Sequence, residues 1–243
     1  MPDPAAVEPA GNPVPVAEVG AMFDRVAPRY EAMNTLMTLG LDAVWRRRAV
    51  RAAELEPGMR AVDVACGSGS LTRQLARAVG RSGEVVGIDV SSRMLEVGRA
   101  RRAGRGAIDP VYVEGDALDL PLSDADADAV AIAFGLRNVA DYRRCLAEMV
   151  RVARPGGRVV VLEISTPTSR FGRFLAATWF GRVVPLLGRV IGSGDAYRYL
   201  PDSVHGYPAP DRVAEMMREV GLGSVRWRRL PPGLVTLHVG RRP

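Results

Sequence analysis

The sequence predicts a doubly wound α/β fold, in which helices cover both faces of a seven-stranded sheet whose last strand is antiparallel. Three observations predict this fold. Apolar strand-like segments alternate with helical segments, a glycine-rich turn joins the first strand to a helix, and the first three strands each carry an acidic residue near their end. With 243 residues and 47% hydrophobic content, the chain is expected to bury one core, with little room for a second domain.

The first strand, residues 59–65, leads through Gly67 and Gly69 into a helix at 71–78. Glycines let the backbone approach a ligand, and a helix N-terminus offers free N–H groups at the same edge of the sheet. This combination indicates a nucleotide pocket. A dinucleotide fingerprint would need glycine in place of Thr72, and a phosphate-binding loop would need lysine, which the chain lacks. A glycine turn that serves only packing stays an alternative.

Acidic residues at the strand ends favour S-adenosylmethionine, a nucleoside with a sulfonium and no phosphate. Asp63 is expected to fix the turn and to meet the cationic methionine part, while the Asp89 carboxylate suits a ribose diol. Asp116, after the strand 110–115, can accept a hydrogen bond from the adenine amine. Each acid has the alternative role of a turn residue or helix N-cap. The predicted cofactor-binding residues are Asp63, Gly67, Ser68, Gly69, Asp89, Asp116 and Ala117.

The remaining elements follow the same alternation of strands and helices. The sequence indicates a second strand at 84–89, a fourth strand at 128–134, a Pro-Gly-Gly turn at 155–157, a fifth strand at 158–164, a helix at 211–220 and two last strands at 225–230 and 234–239. This order resembles that of class I S-adenosylmethionine-dependent methyltransferases. The resemblance implies their Rossmann-like sheet and their cofactor.

The two ends and one insertion give the chain its domain organisation. Residues 1–17 are rich in proline and are expected to form a disordered leader, and no signal peptide is evident. A single methyltransferase domain is expected from 18 to 243, with a helical cap at 18–55 and a lid insertion at 167–200. The absence of a signal peptide predicts a cytoplasmic protein.

The segment from Phe134 to Asn138, Phe-Gly-Leu-Arg-Asn, follows the fourth strand. It closely resembles the signature of the ubiquinone and menaquinone C-methyltransferase family. Further stretches follow that family's patterns at 22–34, 39–41, 45–46, 196–203 and 235–238, so the resemblance covers about 18–240. It implies transfer of a methyl group from S-adenosylmethionine to a ring carbon of a prenylated hydroquinone, with demethylmenaquinol as the preferred substrate.

The chemistry requires a site that stabilises a phenolate, since a ring carbon becomes nucleophilic when the neighbouring hydroxyl loses its proton. Arg137 is predicted to supply the positive charge, Asn138 to position the ring oxygen, and Tyr30 to contact a ring hydroxyl. The alternative is that Arg137 pairs with an acid and Asn138 caps the helix that begins near Asp141. The general base stays open, and His238 is expected to be a core or surface residue.

Some residues of the chain depart from the family's pattern. Glu31 stands where the family usually has Asp, Ser70 replaces an Asp after the glycine turn, and Pro231-Pro232 precede the last strand. These departures leave cofactor binding as expected and bear on the choice of quinone. Ubiquinone-type benzoquinols and other aromatic or natural-product substrates, methylated at carbon or oxygen, therefore stay open.

Charge and apolar patterning bear on the partners. The chain has 33 basic and 27 acidic residues, but its arginine clusters lack interleaved aromatics, so no nucleic-acid partner is expected. The stretch 169–191 mixes apolar residues with four arginines and predicts peripheral contact with a membrane surface. Alternatively, the apolar residues of this stretch only cover the hydrophobic core. No metal site is expected, because the two cysteines form no ligand cluster, and a homodimer is compatible with the sequence.

Overall fold

The structure, a computed structural model, describes residues 11–12, 14–166, 204 and 206–243. Most of the leader and the whole lid insertion at 167–200 lie outside the described residues. The strands are β1 (Arg60–Val64), β2 (Glu84–Asp89), β3 (Val111–Glu114), β4 (Ala127–Ala133), β5 (Ala153–Ile164), β6 (Gly223–Leu230) and β7 (Val235–Arg241).

The seven strands form one sheet in the order β3-β2-β1-β4-β5-β7-β6. Neighbouring strands from β3 to β5 are parallel, whereas β7 is antiparallel to both β5 and β6. The predicted sheet with an antiparallel last strand is therefore confirmed. The strand order reverses between β1 and β4, and a crevice opens at the carboxyl ends of the strands at such a point.

The helices lie on both faces of this sheet. They are α1 (Val16–Val26), α2 (Tyr30–Met37), α3 (Leu41–Ala52), α4 (Thr72–Val79), α5 (Ser92–Arg99), α6 (Tyr142–Val152) and α7 (Pro210–Glu219). Residues of α3 and α4 pack against Ala61 and Ala129, while α6 and α7 pack on the opposite face against Val62 and Val130. Successive strand residues thus enter different cores, as the two-residue period of a strand requires.

The helices α1–α3 precede β1 and pack at the edge of the cleft. Val26 and Met94 join α1 to α5 in a small apolar cluster, and the Ser91 hydroxyl donates to Asp24 at 2.5 Å. Ser91 also caps α5, since its oxygen accepts from the Met94 amide at 3.1 Å. None of the described helices combines the length and apolar character needed to cross a bilayer.

Strand β5 begins earlier than the sequence indicates. The expected start was residue 158, after the Pro-Gly-Gly turn, but the strand runs from Ala153. The Gly156 amide donates to the Arg242 carbonyl at 2.8 Å, and the Arg242 amide donates to the Gly157 carbonyl at 2.9 Å. The Pro-Gly-Gly turn is therefore part of strand β5, because the chain after β7 continues far enough to form these hydrogen bonds with it.

Candidate active site

A cleft that is partly open to solvent lies at the carboxyl ends of the central strands. Its wall includes the glycine turn, the ends of β2 and β4, and residues of α1, α2 and α3. The predicted residues that line it are Tyr30, Asp63, Gly67, Ser68, Asp89, Asp116, Ala117 and Asn138. Residues far apart in the sequence thus converge on one space.

The turn after β1 depends on the glycines at positions 67 and 69. Gly67 has φ +55° and Gly69 has φ +81°, a region that favours glycine. A Cβ at Gly69 would lie 2.1 Å from the phenolic oxygen of Tyr112. The turn is closed by the Gly69 amide, which donates to the Cys66 carbonyl at 3.0 Å. Gly69 therefore supports the turn from beneath, while Gly67 faces the cleft.

Asp63 is fully buried at the end of β1 and reaches the first turn of α4. The Thr72 hydroxyl donates to its Oδ2 at 2.6 Å, so the carboxyl group fixes the start of the helix. Burial raises the pKa of Asp63 to about 7, although Thr72 and the charge of Arg46 act in the opposite direction. The protonation of this cleft-lining group is therefore sensitive to any cation that enters.

Asp89 links the end of β2 to the glycine turn. Its Oδ2 accepts from the Gly67 amide at 2.7 Å and its Oδ1 accepts from the Ser91 amide at 2.9 Å. Burial raises the pKa of Asp89, and these amide hydrogen bonds oppose the rise. Each carboxylate oxygen keeps a further lone pair that can accept from a ligand hydroxyl.

Asp116 lies at the far side of the cleft, beyond β3. Its Oδ1 accepts from the Leu118 amide at 2.9 Å, which is the turn-forming role considered as its alternative. The neighbouring Ala117 is buried and also lines the cleft. A turn role and a position on the cleft wall therefore coexist at Asp116.

The Phe134–Asn138 segment enters the cleft wall directly after β4. Phe134 has φ +61°, and the Asn138 side-chain amide donates to the Phe134 carbonyl at 3.5 Å. The Oδ1 atom of Asn138 is buried and accepts no hydrogen bond from the described residues. Helix α6 is capped by Asp141, whose carboxylate accepts from the Arg144 amide at 3.0 Å. Asn138 is therefore not the cap that the sequence left as an alternative.

Arg137 is not among the described residues that line the cleft, and its side chain pairs with a buried acid. Its guanidinium donates to Glu163 Oε1 and to the Phe134 carbonyl, both at 2.6 Å, and its amide donates to Glu163 Oε2 at 3.2 Å. Glu163 is fully buried on β5, so its charge requires a partner. The ion pair that the sequence left as an alternative is therefore present, and a role of Arg137 in catalysis stays a prediction.

Arg46 is the cationic group that the sequence argument missed. It is the one arginine among the described residues that line the cleft, and only 6% of its surface is exposed. Its guanidinium carbon lies 5.0 Å from the centre of the Phe134 ring, and it pairs with Asp42 on the same helix. The Trp45-Arg46 pair was noted only as part of the family pattern, since its place in the cleft depends on how α3 packs.

Tyr30 and Glu31 bring the start of α2 to the glycine turn. Tyr30 lines the cleft and packs edge-on against Phe23, with ring centres 5.8 Å apart. Glu31 Oε1 accepts from the Ser68 hydroxyl at 2.7 Å and from Arg73 at 2.8 Å. Glu31 Oε2 pairs with Arg101. A carboxylate of the cap thus holds three separate parts of the cofactor region together.

His238 is a core residue, as expected. It lies fully buried on β7, where its Nε2 is 2.9 Å from the Pro210 carbonyl, and its ring stacks on Trp227. Burial lowers the pKa of His238 to about 4. It does not line the cleft.

The residues of the cleft fit S-adenosylmethionine. Asp63, Asp89 and Asp116 line the cleft with carboxyl groups that can accept from hydroxyl and amine groups and attract a cation, and the turn has no side chain at Gly67 that would block a ligand. A model of the ubiE/COQ5 methyltransferase family matches residues 13–242. The chain belongs to the ubiE/COQ5 methyltransferase family. It is an S-adenosylmethionine-dependent methyltransferase, which confirms the predicted family, enzyme class and cofactor.

Relatives of this methyltransferase share most of its length. A demethylmenaquinone methyltransferase of Thermus thermophilus is 45% identical over 224 residues, which cover 91% of this chain and 100% of the relative. The ubiquinone/menaquinone biosynthesis C-methyltransferase UbiE of Bordetella avium is 43% identical over 229 residues, which cover 93% and 88%.

Solved structures share the fold of this methyltransferase. An S-adenosylmethionine-dependent methyltransferase of Thermotoga maritima, titled a possible histamine N-methyltransferase, has a TM-score of 0.64 at 19% identity. The match covers 92% of this chain and 99% of that chain. At this identity the likeness shows the class I methyltransferase fold alone.

Proposed function

We propose that this chain methylates a ring carbon of demethylmenaquinol to give menaquinol. The relative of Thermus thermophilus, 45% identical, bears the name of that activity. The observation that carries the proposal is the buried Oδ1 of Asn138, which has no hydrogen-bond partner among the described residues and lines the same cleft as Arg46. An acceptor and a cation in one cleft suit a phenol that becomes a phenolate.

Each side chain of this wall has a separate task in the proposal. S-adenosylmethionine supplies an electrophilic methyl group. Asn138 accepts from a ring hydroxyl and orients the ring, and Tyr30 contacts a second ring oxygen. Arg46 stabilises the negative charge that develops on the ring oxygen, since an arginine stays protonated and its charge acts strongly in a water-poor site.

Arg137 acts through the backbone in this proposal. Its hydrogen bond to the Phe134 carbonyl and its ion pair with Glu163 hold the strained segment between Phe134 and Asn138 in place. A positioning role therefore replaces the direct contact with the phenolate that the sequence suggested.

The cofactor residues keep the tasks that the sequence suggested. In the proposal Asp63 meets the cationic methionine part and Asp89 accepts from the ribose hydroxyls. Asp116 accepts from the adenine amine beside Ala117. The amides and hydroxyl of the turn at Gly67, Ser68 and Gly69 shape the floor. Their convergence on one cleft supports these assignments, Gly69 acting from beneath.

A benzoquinol of the ubiquinone pathway is the second candidate substrate. The relative of Bordetella avium, 43% identical, is named for both quinones. Both rings carry isoprenoid tails, so the proposal includes contact with a membrane surface at the inner face of the plasma membrane. A cytoplasmic location and a homodimer stay predictions, the latter to be checked by sedimentation equilibrium.

Methyl transfer to separate quinols tests the proposal. Reduced demethylmenaquinol and a demethylated benzoquinol are incubated in detergent with the protein and methyl-labelled S-adenosylmethionine, and the products are examined by mass spectrometry. Label in the naphthoquinol ring is the expected result. Label only in the benzoquinol would move the function to ubiquinone. Label in neither, with cofactor still bound, would point to another aromatic substrate.

A matched pair of variants tests whether Asn138 on the cleft wall takes part in the reaction. Asn138→Ala is expected to lose most turnover and to keep its affinity for S-adenosylhomocysteine, because Asn138 contacts the substrate in the proposal. Arg143→Ala, which removes an exposed ion pair with Glu219 on α7, is the control and should retain activity. Full activity of Asn138→Ala would remove Asn138 from the reaction.

A further inference from the structure

Exposed apolar side chains are concentrated at the turn between α2 and α3. Among the described residues, four large hydrophobic side chains are exposed, and three of them are Leu36 at 41%, Leu39 at 73% and Leu41 at 36%. The fourth, Val111, lies on the edge strand β3. Apolar groups grouped in this way at one projecting turn mark a surface that contacts something.

The turn holds these leucines outward by hydrogen bonds. The Gly40 amide donates to the Thr35 carbonyl at 2.8 Å, and the Thr38 hydroxyl donates to the Asn34 carbonyl at 2.7 Å. Leu39 itself has φ +51°, a conformation in which Asn or Gly would be less strained. The backbone conformation alone therefore disfavours leucine at this position.

The helix after the turn carries exposed positive charge. Arg47 and Arg51 are exposed one turn apart on α3. The single acid of that helix, Asp42, is buried and paired with Arg46, so it does not offset the exposed arginines. Leucines that project beyond an arginine-bearing helix have the pattern of a segment that binds an anionic bilayer surface.

We infer that the turn from Leu36 to Leu41 inserts into the interface of an anionic lipid bilayer, with Arg47 and Arg51 on lipid phosphates. The inference deepens the proposed function, in which the substrate carries an isoprenoid tail. Helix α2 begins at Tyr30 and α3 carries Arg46, and both residues line the cleft. The same two helices therefore join the bilayer surface to the site where the ring is methylated.

Vesicle flotation with the full chain tests whether the turn from Leu36 to Leu41 binds an anionic bilayer. Vesicles of phosphatidylcholine alone are compared with vesicles that also contain phosphatidylglycerol, without any quinol. The wild type is expected to float with the anionic vesicles. Leu39→Asn should reduce the partition coefficient roughly tenfold, because it removes one inserted leucine. Arg47→Glu with Arg51→Glu should abolish the preference for anionic lipid.

Val111→Ser is the matched control, because it removes an exposed apolar side chain remote from the turn and should float like the wild type. Circular dichroism and affinity for S-adenosylhomocysteine confirm that each variant is folded. Equal flotation of Leu39→Asn and wild type would overturn the inference. So would a dimer that Leu39→Asn converts to a monomer without any change in flotation, since the turn would then be a subunit contact. Because the vesicles contain no substrate, a failed labelling experiment and a failed flotation experiment are distinguishable.

Discussion

Asp63 is a carboxyl group whose charge depends on what occupies the cleft. Burial raises its pKa to about 7, so a substantial fraction is protonated at neutral pH in the free protein. A ligand that brings a sulfonium and an ammonium group favours the carboxylate, because opposite charges lower the pKa of an acid. Binding and ionisation of Asp63 should therefore be linked.

We expect the affinity for S-adenosylmethionine to rise about tenfold from pH 6 to pH 8 and then to level off. The sign follows from the raised pKa: below pH 7 the acid must lose a proton before it can attract the cation. Isothermal titration calorimetry in buffers of different ionisation enthalpy should show proton release at pH 6. Asp63→Asn should remove both the release and this pH dependence. Identical profiles for the two proteins would assign the cofactor's charge to another group.

Arg46 permits a sharper test of the proposed chemistry. Arg46→Met should lower kcat at saturating cofactor by about two orders of magnitude, since a donor to a developing oxyanion is lost. The dissociation constant of S-adenosylhomocysteine should rise much less, through the higher pKa that Asp63 acquires when the charge of Arg46 is removed. Arg46→Lys should recover part of kcat. Arg48→Met, on the same helix and only half-buried, serves as the control. A weakened affinity for S-adenosylhomocysteine with normal kcat at saturation would instead place Arg46 on the cofactor's carboxylate.

Helix α2 and the glycine turn are joined by Glu31, which makes the cap part of the cofactor site. Burial acts to raise the pKa of Glu31, but hydrogen bonds from Arg73 and Ser68 outweigh it and lower the pKa. The carboxylate therefore stays ionised at neutral pH. Its contacts hold the turn in the conformation in which Gly67 and Ser68 face the cleft.

Glu31→Gln should weaken the binding of S-adenosylhomocysteine by roughly tenfold, because a neutral amide cannot pair with both Arg73 and Arg101. The maximal rate at saturating cofactor should change much less. Both are read from a titration and a saturation curve. Glu18→Gln, which alters an exposed acid of α1, is the control. If the two variants bind the ligand equally well, the cap and the turn are energetically independent.

Elements formed by local pattern could be predicted from the sequence, and contacts between distant elements could not. The strands were indicated by short apolar runs ending in Asp63 or Asp89, and the sheet order confirmed them. The contact of Arg46 with Phe134, in contrast, results from the packing of α3 against β5 and β7, and no local pattern encodes it. A contact with a distant residue also limits what the sequence predicts for Arg137. Its residue type and its place after β4 suit catalysis, but its guanidinium forms an ion pair with Glu163, 26 residues away.

At the scale of the whole molecule, the sheet separates two cores, and its antiparallel end contains a buried imidazole. His238 lies on β7 between β5 and β6, and its ring stacks on Trp227 with centres 5.9 Å apart. Burial lowers the pKa of His238 from 6.5 to about 4, with the Pro210 carbonyl and Asp211 acting in the opposite direction. The His238 imidazole therefore stays neutral in the folded protein at pH values at which it is protonated in the unfolded chain.

This difference predicts how global stability responds to acid. The contribution of His238 is fully present above pH 6.5 and is lost as the pH falls through 4, because only the unfolded chain binds the proton in that window. A separation of 2.5 between the two pKa values corresponds to about 3 kcal/mol. Urea unfolding from pH 7 to pH 4 should show the wild type losing that much more stability than His238→Gln. Since both proteins share all other titrating groups, parallel losses would mean that the imidazole becomes protonated without unfolding the sheet.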